Sequence, residues 1–212
     1  MRRLLLSISI ICAILYLFVF PGNAVIKAGT VGTLALVALL SLGKRRDAGL
    51  LALALAFSST GDVILDLDPH LFVYGLAAFL LGHLTYICLF LRNRPRPLDP
   101  GLPRIAAVIA VLAYAATLAT WIVPSVGKLG VPVVFYVCAL TTMVVTAILG
   151  RFEQPWVAVG AVLFLMSDSL LAINKFKTPI PARDLLVGTT YYLGQCGIAL
   201  GYLASARSAL SA

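Results

Sequence analysis

Eight apolar runs, at residues 4–20, 24–42, 49–66, 71–91, 104–123, 130–149, 155–173 and 184–204, take up most of this 212-residue chain. A helix rises about 1.5 Å per residue, so runs of this length cross, or nearly cross, a hydrocarbon layer about 30 Å thick. Lipid offers no partner to a backbone N–H or C=O, and a helix satisfies both within one segment. The runs predict an all-α integral membrane protein of about eight transmembrane helices in one bundle, forming a single polytopic domain over 1–212. Composition agrees: 61% of residues are hydrophobic and 11% are charged, against about 25% charged in soluble domains. The first run is longer than the apolar core of a signal peptide and is expected to be a retained helix.

The net charge of +8 does not point to nucleic acid, because the basic residues sit in short clusters between the runs. Arg2, Arg3, Lys44, Arg45, Arg46, Arg92, Arg94, Arg96, Arg104, Arg151 and Arg207 fall on one side. Lys27, Lys128, Lys175, Lys177 and Arg183 fall on the other. The positive-inside rule then predicts both termini in the cytoplasm. The expected location is a multi-pass position in a bacterial cytoplasmic membrane. Cys12, Cys88, Cys138 and Cys196 all lie within apolar runs and read as small buried hydrophobes.

Acidic residues inside the runs carry the functional signal, since an ionisable group near mid-membrane costs at least about 2.5–3.5 kcal/mol. Asp62 shares one helical face with Leu55, Ser58, Ser59 and Asp66, at spacings of three and four. Asp66 and Asp68 lie nearer the loop and are expected to be solvated. Asp168 lies well inside the seventh run, between Ser167 and Ser169. Both aspartates fall in the outer half, which predicts one shared pocket. The fourth run aligns Gly75, Phe79, Gly82, His83 and Tyr86 on one face; the eighth aligns Gly188, Tyr191, Gln195 and Tyr202. Lys27, at the start of the second run, either snorkels to the interface or serves a phosphate or an aspartate. Asp62 and Asp168 also sit in similar settings four runs apart, a faint sign of a parallel repeat.

Of two carboxyls sharing a low-dielectric pocket, one keeps its proton and is a general acid, while the other can stabilise positive charge or activate water. Glycosidases use such a pair on an oxocarbenium-like transition state. A pocket open to lipid suits an amphiphile with an acid-labile bond. Nothing forms a G-x-S-x-G elbow. Zinc hydrolysis takes three protein ligands, and His70 and His83 are the only histidines; no metal and no cofactor is expected.

The stretches Gly61-Asp62-Val63-Ile64-Leu65, Gly82-His83-Leu84-Thr85-Tyr86, Ser167-Asp168-Ser169-Leu170-Leu171-Ala172 and Tyr191-Tyr192-Leu193-Gly194-Gln195 resemble the YhhN-like lysoplasmalogenase family from Lys27 to Gln195. The resemblance implies an eight-helix membrane enzyme that hydrolyses the vinyl ether of a lysoplasmalogen, a lysophospholipid. The implied products are a fatty aldehyde and glycerophosphoethanolamine or glycerophosphocholine. It implies Asp62 and Asp168 as the catalytic pair; the closer apolar flanks of Asp168 make it the expected acid. Lys27, His83, Tyr136, Ser167, Asn174, Tyr191 and Gln195 are the expected substrate-binding residues. Two other readings stand beside it: a metal-dependent membrane lipid amide hydrolase, and a small transporter that uses the aspartates as a relay.

Overall fold

The computed structural model describes residues 1–42, 46–93 and 101–211. Lys44, Arg45, Arg94 and Arg96, which help to orient the chain by charge, lie outside the described residues, as do Pro95, Pro97 and Pro100 of the longest connection. Eight α-helices are present among the described residues: α1 Arg2–Phe18, α2 Ala24–Leu42, α3 Arg46–Leu67, α4 Phe72–Leu91, α5 Gly101–Ile122, α6 Gly130–Leu149, α7 Trp156–Phe176 and α8 Arg183–Ser211. Each matches one apolar run within a few residues, save that α8 runs on past 204. Six of them, α2 to α7, are long and apolar enough to cross a membrane. The chain is a multi-pass, all-helical membrane protein.

Breaks between helices have local causes. After α1 the chain turns through Pro21 and Gly22, whose φ of +83° suits glycine. The Asn23 side chain then accepts the Ile26 N–H at 3.1 Å and caps α2. Pro155 precedes α7, and Pro179 and Pro181 separate α7 from α8.

Successive helices α1 to α4 pack against one another, α4 packs on α6, and α7 packs on α8. Contacts of α8 with α2 and α1 bring the two ends of the chain together. The α7–α8 contact is the tightest for a simple reason. A Cβ at Gly160 would stand 2.5 Å from the Gly194 carbonyl and 2.6 Å from the Ile198 nitrogen, so only hydrogen at that position lets the backbones meet. By contrast α5 is peripheral, packing on α6 and lightly on α7; 17% of its apolar stretch is buried, against 50% for α6. Large apolar side chains such as Leu36, Leu81, Leu112, Phe135 and Leu193 face outward, as a lipid-facing surface requires.

Candidate active site

At one end of the bundle α2 and α8 begin and α3 and α7 finish, and there the polar residues collect. A chamber with about 500 Å³ of empty space, its open mouth included, is lined by Tyr16, Lys27, Asp62, Asp66, Ser167, Asp168, Arg183, Asp184 and Tyr191, with Phe79 and Leu171. The two intramembrane aspartates thus share one pocket, as the sequence predicts. It lies at the end opposite the connections that carry Arg92 and Arg151.

Asp62 is 3% exposed. The Tyr191 hydroxyl donates to its Oδ2 at 2.6 Å, and the Lys27 ammonium stands 3.7 Å from its Oδ1. Lys27 donates more closely to Asp66, at 2.8 Å, whose other oxygen accepts the Tyr16 hydroxyl at 2.8 Å. The ammonium also lies 5.3 Å from the Tyr16 ring centre. Lys27 therefore turns inward to two carboxylates rather than outward to the interface. Asp66 belongs to this buried cluster, contrary to the solvated position expected of it. Its place one turn beyond Asp62 is the signal that points there. Asp68 does lie outside the cluster, accepting the His70 N–H at 2.7 Å.

Asp168 has a different set of partners. The Tyr136 hydroxyl donates to its Oδ2. His83 Nε2 is 3.0 Å from that hydroxyl and 3.7 Å from the carboxylate. Tyr136 has a single proton, so when it donates to Asp168 the His83 Nε2–H donates to the tyrosine oxygen. Below both carboxyls lies an aromatic floor: the buried Phe164 ring is 5.0 Å from His83 and 5.2 Å from Tyr191. Close-packed rings here leave the carboxyls a dry setting on their inner side.

The partners follow a rule of position. Asp62 on α3 is served by Lys27 of α2 and Tyr191 of α8. Asp168 on α7, four helices later, is served by Tyr136 of α6 and His83 of α4. Each aspartate thus draws on the helix before it and on the last helix of the other half. This is the arrangement a parallel repeat would produce.

Two sequence-predicted residues stand apart. Gln195 is wholly buried one turn inward of Tyr191 and accepts the Tyr86 hydroxyl at 2.6 Å. Asn174 is not in the chamber; its side chain accepts the Ile180 N–H at 3.0 Å in the α7–α8 loop. Ser167 does line the chamber, but its hydroxyl donates to the Val187 carbonyl at 2.9 Å. Tyr16, Arg183 and Asp184 join the chamber without having been expected there.

A second, apolar pocket lies against the chamber. It has about 700 Å³ of empty space including its mouth, and Phe72, Leu76, Ala119, Val137, Leu140 and Phe176 are among its walls. Asp168 and Leu171, one turn apart on α7, line both spaces. Across from them α4 meets α7 through ring contacts, Phe72 with Phe176 at 5.9 Å and Phe79 with Phe164 at 6.1 Å. Among the described residues no three His, Cys, Asp or Glu side chains gather as metal ligands would.

Residues 22–202 match the model of the YhhN family. A Mycobacterium bovis protein named lysoplasmalogenase is 39% identical over 153 residues, 70% of this chain and 58% of that protein. The pig protein lysoplasmalogenase TMEM86B is 34% identical over 195 residues, 89% of this chain and 81% of its own length. The human protein of that name is 35% identical over 152 residues, covering 72% of this chain and 62% of the relative. The chain thus spans less than two thirds of the mycobacterial and human relatives it matches. No solved structure matches.

Proposed function

We propose, from the premise that this chain belongs to the YhhN family, that it hydrolyses the vinyl ether bond of a lysoplasmalogen. The products would be a fatty aldehyde and glycerophosphoethanolamine or glycerophosphocholine. The observation that carries this reading is the position of Asp168, on the wall between a charged chamber and an apolar pocket. A lysolipid has one polar head and one chain. With the head in the chamber and the chain in the apolar pocket, the bond joining them falls at this carboxyl.

The chemistry needs a proton at carbon. Asp168, protonated, transfers it to the vinyl carbon remote from oxygen, and the electron pair of the double bond forms the new C–H bond. The oxygen-bearing carbon becomes an oxocarbenium ion. Asp62, paired with the Lys27 ammonium, carries the negative charge that stabilises the cation. Water adds to that carbon and returns one proton to Asp168, which restores the acid. The hemiacetal then breaks its bond to the glycerol oxygen, which takes the hydroxyl proton, and aldehyde leaves. Tyr136 fixes the orientation of Asp168, with His83 behind it, and Tyr191 fixes that of Asp62.

The whole chain acts as one membrane domain in this reading, with both termini in the cytoplasm of a bacterial cell. The chamber then opens at the non-cytoplasmic face, in agreement with its distance from Arg92 and Arg151. The test is aldehyde release from a lysoplasmalogen by the purified protein in detergent, with and without chelator. Chelator-resistant release that is lost in both Asp62→Asn and Asp168→Asn supports the reading. Full release by the double variant overturns it.

A further inference from the structure

The chamber holds two cations at different depths. Lys27 is on its floor, with 16% of its side chain exposed, and is engaged by Asp66 and Asp62. A substrate phosphate that took Lys27 would strip two buried carboxylates of their counter-ion. Arg183 is at the mouth, with 42% of its side chain exposed. One of its terminal nitrogens donates to the neighbouring Asp184 at 2.5 Å. Its Nε is buried and has no partner, so the edge that a ligand can reach is the terminal one, where Asp184 now sits. A guanidinium edge of that kind matches two phosphate oxygens at once.

The backbone holds Arg183 in place. Ala182, immediately before it, has φ of +53°, and among the described residues it is alone among non-glycines in having positive φ. Such strain persists where the surroundings impose it. The surroundings here are visible: Asn174 accepts the Ile180 N–H, Thr178 N–H donates to the Ile173 carbonyl at 3.0 Å, and Leu186 N–H donates back to the Ala182 carbonyl at 3.0 Å. The loop that carries Arg183 is therefore tied at both ends. Arg183 lines the same chamber as Asp62, Asp168 and Tyr191, and its greater exposure places its charge toward the chamber's open side.

We propose that Arg183 binds the phosphodiester of the lysolipid and that Asp184, released from it, takes the head-group ammonium. A zwitterionic head would thus replace one ion pair with two, whereas an anionic head would leave Asp184 uncompensated. Asn174, placed outside the chamber, is the positioning residue for this contact through the loop it ties. The proposal rests on the lysoplasmalogenase reading for its substrate.

The experiment compares wild type, Arg183→Gln, Arg183→Lys and Asp184→Asn on two substrates. One is an alkenyl lysophospholipid with a zwitterionic head, the other an alkenylglycerol without phosphate. Arg183→Gln should lower the selectivity for the phospholipid over the alkenylglycerol about 10- to 100-fold, through KM rather than kcat, as loss of a charge-assisted contact does. Arg183→Lys should recover part of that selectivity. On a third substrate, an alkenyl lysolipid with an anionic phosphoglycerol head, Asp184→Asn should improve acceptance relative to the zwitterion. An equal loss on both substrates, or unchanged selectivity, overturns the proposal. In parallel, binding of a non-hydrolysable 1-alkyl lysophospholipid is measured directly. Should wild type release no aldehyde from either substrate, the functional reading fails while this binding still decides the role of Arg183: weaker binding to Arg183→Gln supports it, equal binding overturns it.

Discussion

Tyr191 donates its hydroxyl proton to Asp62 at 2.6 Å across 129 positions of sequence. This bond ties α8 to α3, and Lys27 adds α2 to the same carboxylate. Asp168 is held in the corresponding way by Tyr136 of α6. Each acid is thus oriented by a phenol, a donor that does not itself ionise at neutral pH and so fixes geometry without adding charge. The two acids differ in the second partner, an ammonium for Asp62 and an imidazole for Asp168, and that difference is what sets them apart chemically.

Replacing either acid should cut turnover steeply. In the proposed mechanism Asp168→Asn removes the proton donor and is expected to lower kcat by about 10²–10⁴-fold. Asp62→Asn removes the charge that faces the cation and should cost a similar order. Aldehyde release under saturating substrate checks both; a variant within a few-fold of wild type would remove that residue from the mechanism.

Tyr136→Phe separates orientation from acidity. The carboxyl of Asp168 stays, but it loses its donor, and His83, fully buried, loses a partner for Nε2. Leaving such a group unpaired costs about 1–3 kcal/mol. Thermal unfolding in detergent should show lower stability, and kcat should fall less than in Asp168→Asn. A fall as deep as that of Asp168→Asn would give the tyrosine a direct part in the chemistry.

Lys27 is expected to matter more for folding than for substrate. Lys27→Met leaves Asp62 and Asp66 facing one another without a cation, and removal of one member of a buried pair costs about 3–5 kcal/mol. Asp66→Asn should be milder, since Lys27 keeps Asp62. Unfolding temperatures of the two variants give the order, and the reverse order would contradict this arrangement of the cluster.

Chain length should be read by the apolar pocket. Ala119→Phe fills part of it from α5. Each methylene withdrawn from an apolar site forfeits about 0.8 kcal/mol, so kcat/KM should drop for long alkenyl chains and hold for short ones. A chain-length profile that matches wild type would move the chain elsewhere.

The α7–α8 contact admits a sharp control. Gly160→Ala puts a methyl group on the Gly194 carbonyl, and overpacking of this kind costs about 1–3 kcal/mol. Gly49→Ala on α3 meets nothing within 4 Å and should be neutral or slightly stabilising. Thermal unfolding of the two distinguishes close packing from a general intolerance of substitution.

Much of this architecture is legible in the residues alone. Apolar run length sets helix length because lipid leaves the backbone no alternative, which is why α2 to α7 fall where the runs do. Asp62 and Asp168 stand out because a carboxyl is expensive within a helix of that kind. The face bearing Leu55, Ser58, Ser59 and Asp62 is indeed buried. Pattern reading fails at the ends of helices, where a charged residue reads as solvated whatever it touches. Asp66 has the pattern of a loop-side acid, and its bonds to Tyr16 and Lys27 depend on three helices meeting. Arg183 has the pattern of a topology signal, because nothing local tells an arginine at an interface from one that lines a chamber. Asn174 fails in the opposite sense: close in sequence to Asp168, it is used by the loop between α7 and α8.

The shared wall at Asp168 also bears on the fate of the products. In the proposed reaction one fragment of the substrate, the glycerophosphodiester, would be left on the wet side of that wall, and the other, the aldehyde, on the greasy side. The first is soluble and diffuses into the aqueous phase; the second is apolar and partitions into the bilayer. Sorted into different phases as they form, the fragments rarely meet again. The reaction is then drawn forward by dilution into two solvents, and an electrophilic aldehyde is delivered to the membrane rather than to the amines of the surrounding water.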